Sequence, residues 1–221
     1  MPQRPACVAF DMVETTFSLE KLRPRFEVAG LAGHRMETWF AGLLRDAFAL
    51  DTIGQFTPFP DLAKSSLAAL GLSDEQVSNV IDGFATLDVH PDAAPAMTRL
   101  RAAGIRVLAL TNGSEDVTRK ILEHNGLDSL VERVISITEI GRWKPAPEVY
   151  EHAAQVAGVP TSQMALFAVH PWDCAGAANA DYTTGFVSRH GEGWPSVMAR
   201  PDVTGTSLVE LADGVLAWDS A

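Results

Sequence analysis

Asp11 closes a short apolar run, Cys7-Val-Ala-Phe-Asp11, and a hydroxyl, Thr15, follows four positions later. A carboxylate at the carboxyl end of an inner strand stands where open α/β sheets bind their ligands. It is costly to desolvate there unless partners meet it. Three sets of partner groups follow at later strand ends: Thr111-Asn112, Lys144 and Asp173. An aspartate can attack carbon or phosphorus and form an ester that water later cleaves; it can also simply cap a helix. Thr111, Asn112 and the backbone N–H groups that open the next helix would make an anion site, or again an ordinary cap. Lys144 precedes Pro145, which favours an extended backbone at the lysine. Near Asp11 it would keep the carboxylate ionised and offset incoming negative charge; otherwise it is a solvated loop lysine. Asp173 could pair with Lys144, orient water, or cap the helix that follows.

The elements that must position these groups read as an α/β fold with a parallel, Rossmann-like sheet. Apolar runs without clean alternation predict strands buried on both faces at Ala6–Phe10, Ile105–Leu110 and Met164–Val169. Shorter strands are predicted at Arg133–Ser136 and Thr184–Ser188. Helices are predicted over Pro91–Ala103, Glu115–Asn125, Pro147–Ala157 and Ala175–Ala180. Between the first and second strands the texture changes. Met36, Trp39, Phe40, Leu43, Leu44, Ala47 and Phe48 recur at helical spacing. Asp61–Leu70 is a second helix, and Ser73 starts a third. No convincing strand occurs in this stretch. Residues 1–16 and 88–221 are therefore assigned to the core and 17–87 to an inserted helical cap. The tail after Trp194 reads as loop plus one helix near Ser207–Leu211.

The chain has 221 residues, with 28 acidic and 17 basic side chains and a net charge of −11. Such a surface repels nucleic acid and anionic lipid, so neither is an expected partner. No apolar run approaches the roughly 18 residues that span a bilayer. The N-terminus has no apolar signal region, and a cytoplasmic location is the default expectation. Cys7 and Cys174 read as small buried apolar residues rather than a disulfide. The expected partner is a small anionic molecule; a homodimer is left open.

The order strand-Asp11, helical insertion, Thr111-Asn112-Gly113, Lys144-Pro145, strand-Asp173 resembles the haloacid dehalogenase superfamily over about residues 6–190. Superfamily phosphatases usually carry a second aspartate two residues after the first, to protonate the leaving alkoxide. Here that position is Val13. A halide leaves without a general acid, so Val13 fits carbon–halogen cleavage better. Lys144-Pro-x-Pro-x-Val-Tyr150, Trp172-Asp173-x-x-Gly176-Ala177 and Gly185-Phe-Val-Ser-Arg189 are similar to segments of the 2-haloacid dehalogenase branch. That resemblance implies that Asp11 displaces halide from Cα with inversion, and that water then attacks the Asp11 carboxyl carbon. Lys144 and Asp173 would form the supporting ion pair. Thr15, Thr111 and Asn112 would bind carboxylate oxygens, with Tyr150 counted among the substrate-binding residues. No cofactor is implied. Two alternatives stay open: a phosphatase of the same superfamily, with Mg²⁺ held by Asp11, Asp173 and backbone oxygen, and a non-catalytic binding protein on this scaffold.

Three positions depart from the branch. Phe40 follows Trp39 where an arginine usually receives the halide; Arg35 and Arg45 lie a turn away. His170 occupies the end of a Ser-x-Asn position. It could orient or activate the hydrolytic water, or be a strand-end histidine held by a carbonyl. Glu14 stands in place of a glycine and adds negative charge beside Asp11. The cap aromatics Trp39, Phe40, Phe56 and Phe59 are expected to supply some of the cleft lining above Asp11, Phe40 above all.

Overall fold

The computed structural model describes residues 3–219. In chain order the elements are β1 (Cys7–Asp11), β2 (Phe17–Ser18), α1 (Arg23–Val28), α2 (Arg35–Thr52), α3 (Phe59–Ala68), α4 (Asp74–Asp82), β3 (Asp88–Val89), α5 (Ala93–Ala102), β4 (Arg106–Thr111), α6 (Glu115–His124), β5 (Arg133–Ser136), α7 (Pro147–Ala157), β6 (Met164–Ala168), α8 (Pro171–Asn179), β7 (Thr183–Val187), β8 (Val203–Gly205) and α9 (Leu208–Leu216). Six strands form one parallel sheet in the order β5-β4-β1-β6-β7-β8. Every residue of β1 and β6 is buried, as their unbroken apolar runs require of strands covered on both faces.

Strand β1 lies between β4 and β6, with Asp11 opposite Leu110 and Phe10 opposite Phe167. Because the strands are parallel, Asp11, Thr111 and the residues after β6 emerge at one edge of the sheet. This is the crevice where the α/β architecture places chemistry.

Helices α1–α4 all fall between β2 and β3, whose residues pair antiparallel: Phe17 with Val89, Ser18 with Asp88. The chain thus leaves and re-enters the sheet region through adjacent strands. This ribbon is absent from the sequence reading, since two-residue strands carry no period. In α2 the helical spacing buries Met36, Trp39, Phe40, Leu43, Leu44 and Ala47 on one stripe. Ser73 and Gln76 close a reciprocal capping box on α4, which fixes its start.

Two further elements differ from expectation. The tail contributes the edge strand β8, paired to β7, before α9. Helix α8 starts at Pro171, four residues before the expected Ala175, so Asp173 lies inside its first turn. Proline suits that first position because its missing N–H has no partner there in any helix. Cys7 and Cys174 are buried and free. Among the described residues no helix is long and apolar enough to cross a membrane.

Candidate active site

Lys144 joins the strand ends. Its side chain is wholly buried, 0 % exposed, and its ammonium donates to Asp11 Oδ1 at 2.7 Å, Asp173 Oδ2 at 2.7 Å and the Leu110 carbonyl at 3.2 Å. Three donors meet three acceptors, which is what a desolvated ammonium needs. Asp173 is also fully buried, and its Oδ1 accepts the Tyr150 hydroxyl at 2.6 Å. Helix α8 lies close enough to Pro145 and Tyr150 for this only because residue 176 is glycine. A Cβ there would stand 2.5 Å from Pro145 Cβ and 2.7 Å from Tyr150 Oη.

The second oxygen of Asp11 has different partners. Thr15 Oγ1 donates to Oδ2 at 2.5 Å, and His170 Nδ1 lies 3.2 Å from the same atom. His170 Nε2 lies 2.9 Å from Glu14 Oε2, and the ring stacks on Trp172 with centroids 4.9 Å apart. The imidazole therefore bridges two carboxylates.

These contacts separate the acids electrostatically. Burial raises the Asp11 pKa, but the Lys144 charge and the His170 contact outweigh it and hold the carboxyl well below its usual range. Asp173 moves the other way: its complete burial exceeds what a shared Lys144 returns, and its pKa is raised. Burial lowers the pKa of His170, but the hydrogen bonds with Asp11 and Glu14 prevail and push it up to about 9. At neutral pH the site thus holds an ionised Asp11 between two cations, Lys144 and His170.

A chamber of about 10 Å³ sits over Asp11, lined by Val13, Phe40, Leu44, Phe59, Asn112, His170 and Trp172. On one side it adjoins a cavity of about 490 Å³ through the shared Phe40, Leu44, His170 and Trp172, where Glu14, Glu37 and Arg45 also face. On the other, Val13 and Phe59 separate it from an apolar cavity of about 200 Å³ beside Thr111, Gly113 and Ser114.

The expected residues are thus brought together, but several differ in what they touch. Asp11, Asn112, Phe40 and His170 line the chamber. Asn112 Oδ1 accepts the Lys144 backbone N–H at 3.3 Å, so its amide N–H groups are the donors it has to offer. Thr15 is buried, and its hydroxyl donates to Asp11 while accepting the Val169 N–H. Tyr150 is fully buried behind Asp173 and borders none of these cavities. Thr111 faces the apolar cavity, with Oγ1 accepting the Gly113 N–H. Arg35 and Arg45 stand outside the chamber; Arg45 pairs with Asp46 at the surface. Trp39 is turned away, its Nε1 donating to Ser66, and Phe56 packs near Gly141.

The sequence reading missed the contact of α2 with the lysine loop. Asp51, at the end of α2, accepts from the Arg142 guanidinium and the Trp143 N–H, and Trp143 Nε1 donates to the Thr57 carbonyl. It also missed the meeting of Glu14 with His170. The signal available was adjacency: both residues lie just beyond neighbouring strands, β1 and β6.

Residues 6–181 match the family model described as haloacid dehalogenase-like hydrolase. The chain belongs to that family and is a hydrolase of the haloacid dehalogenase-like type. Among curated proteins it is 26% identical over 192 residues to (S)-2-haloacid dehalogenase 1 of Pseudomonas sp. (strain CBS-3), covering 83% of this chain and 84% of that one. It is 23% identical over 205 residues to haloacetate dehalogenase H-2 of Moraxella sp. (strain B), covering 89% and 92%. The fold is that of L-2-haloacid dehalogenase from Xanthobacter autotrophicus, with a TM-score of 0.88 at 20% identity over 96% of this chain and 99% of the other.

Proposed function

We propose that this protein cleaves the carbon–halogen bond of a small 2-haloacid hydrolytically, giving the 2-hydroxy acid, with Asp11 as nucleophile. The observation that carries the reading is the setting of Asp11: paired with the Lys144 ammonium at 2.7 Å, at the floor of a chamber whose other walls are mainly apolar. A desolvated carboxylate aligned with Cα attacks that carbon as halide departs, with inversion, and leaves an ester on Asp11. Water then adds to the Asp11 carboxyl carbon, and collapse releases the 2-hydroxy acid. The sum is haloacid plus water giving hydroxy acid, halide and one proton. Lys144 and Thr15 hold Asp11 in place through both steps, and Tyr150 holds Asp173. Asn112 offers its amide to the substrate carboxylate. The helices between β2 and β3 act as the cap, and Phe40 and Leu44 must shift to admit substrate.

The donor set does not fit Mg²⁺. The position between Asp11 and Asp173 is taken by the Lys144 ammonium, and the other Asp173 oxygen is taken by Tyr150. Among the described residues no three His, Cys, Asp or Glu side chains are grouped as metal ligands. Octahedral Mg²⁺ needs a denser oxygen set, and Val13 supplies no acid for an alkoxide. The test is a halide-release screen over 2-haloacids beside a phosphomonoester screen with added Mg²⁺. Halide release without phosphate release supports the reading; Mg²⁺-dependent phosphate release alone refutes it.

A further inference from the structure

Water that attacks the ester on Asp11 must surrender a proton, and few groups can take it. Of the chamber's lining residues only Asp11 and His170 carry side chains that can accept a proton from water. Asp173 is sealed behind Lys144 and Tyr150 and borders none of the three cavities. His170 Nδ1 lies 3.2 Å from Asp11 Oδ2, and its other nitrogen is held by Glu14 at 2.9 Å. Trp172 stacks on the ring and restricts its tilt.

Glu14 is itself held under constraint. Its φ is +66°, a left-handed conformation that a residue with a Cβ adopts at a cost and that surrounding structure must enforce. The enforcement is visible: the Glu14 N–H donates to the Phe17 carbonyl at 2.8 Å, and the Glu14 carbonyl lies 3.2 Å from His90 Nε2. A glycine would fit that backbone without strain. The side chain that stands there instead reaches His170. A carboxylate on one imidazole nitrogen, with the reacting centre at the other, orients the ring and stabilises the imidazolium formed by proton transfer.

We infer that Glu14 and His170 form a carboxylate–imidazole pair that acts as general base in hydrolysis of the Asp11 ester, His170 being the catalytic residue and Glu14 its positioning residue. This rests on the dehalogenase reading with Asp11 as nucleophile. In the resting site His170 is protonated between Asp11 and Glu14, near the Lys144 charge, with Glu37 and Arg45 facing the outer cavity. Ester formation removes the Asp11 charge, and His170 releases its proton toward that cavity, which it and Glu14 both line. Neutral His170 then takes a proton from water as the water oxygen bonds to the Asp11 carboxyl carbon. The imidazolium returns that proton to the departing alkoxide oxygen. The remaining hydroxyl proton on Asp11 passes to His170, which restores the resting state. One proton and one halide leave per turnover.

The test uses the whole protein and (S)-2-chloropropionate, with rapid-quench chloride release and intact-mass measurement. His170→Gln is expected to release one equivalent of chloride per molecule, then turn over ~100-fold or more slowly, the scale of a lost general base. Its mass should rise by one propionic acid unit, carried on the Asp11 peptide. Glu14→Gly should keep the chloride burst, slow later turnover, accumulate the same adduct, and melt higher than wild type because glycine relieves the backbone. A merely structural Glu14 would give no adduct. Should His170→Gln fail to fold, Glu14→Gly carries the test. Chloride release at near wild-type steady rate with no adduct in the folded variants overturns the inference alone. No chloride release from wild type overturns the dehalogenase reading and the inference with it.

Discussion

Replacing Lys144 by methionine keeps the stem and deletes the charge. The ammonium satisfies Asp11 and Asp173 at 2.7 Å each and the Leu110 carbonyl at 3.2 Å, with no solvent to replace it. Removing one member of a buried ion pair costs about 3–5 kcal/mol, because an uncompensated charge remains. Here two carboxylates remain, so the upper part of that range is expected, a large share of the ~5–15 kcal/mol that holds a domain folded. The variant has an escape: a buried carboxyl can take up a proton. Without Lys144 its folded pKa is raised above its unfolded value. The folded state then binds more protons than the unfolded one, so stability falls as pH rises through that raised pKa. Urea unfolding should therefore show the variant's deficit smaller at pH 5 than at pH 8. Adding Asp173→Asn removes the second charge and should recover at least half of the loss at pH 8. A deficit below ~1 kcal/mol that does not change with pH would refute the shared-lysine account, since that is the scale of an exposed pair.

Tyr150→Phe deletes the hydroxyl that serves Asp173 and should destabilise the fold by about 1–3 kcal/mol, as an unsatisfied buried acceptor does. It should leave KM close to wild type, and a large KM rise would place Tyr150 among the substrate contacts. His170 has a pKa of about 9 against an ordinary 6.5. Its contribution to stability is therefore fully present below about pH 6.5 and lost as pH rises through about 9. The difference corresponds to about 3 kcal/mol. Unfolding curves of wild type and His170→Gln should converge above that pH; parallel curves from pH 6 to pH 10 would show that the ring is not held charged. Halide release should be unchanged by EDTA or by added Mg²⁺, and its loss in EDTA would reopen metal chemistry.

What the sequence disclosed depends on how strongly burial marks it. Strands β1, β4 and β6 are covered on both faces, so each carries an unbroken apolar run, and the ends of those runs locate Asp11, Thr111 and the segment leading to Asp173 at one sheet edge. The stripe of α2 is equally plain, because one face of a long helix packs inward. Strand β8 escaped notice because three partly exposed residues, Val203–Gly205, impose little on composition. The β2–β3 ribbon is shorter still. The start of α8 was readable from Pro171, and missing it put Asp173 before the helix instead of inside it.

Side-chain direction was the harder part of the site. Thr15 and Tyr150 are residue types that suit substrate contact, and only their geometry shows both spent on the aspartates. Glu14 and His170 each stood out as a departure, but their pairing needs the neighbouring placement of β1 and β6. Phe40 does face the chamber, yet it also packs on Trp39 and Phe59, which is why a cap aromatic can serve core and cleft together.

The central claim is that Asp11 bonds to the substrate carbon, and the most direct measurement is a single turnover in water enriched in heavy oxygen, with protein in excess over a 2-haloacid. Attack by Asp11 transfers an ordinary oxygen from its own carboxylate to the product. The 2-hydroxy acid should therefore emerge unlabelled at its hydroxyl, and the peptide carrying Asp11 should gain one heavy oxygen. Heavy oxygen in the product hydroxyl with none on Asp11 would mean that water attacks the carbon directly, contradicting Asp11 as the nucleophile.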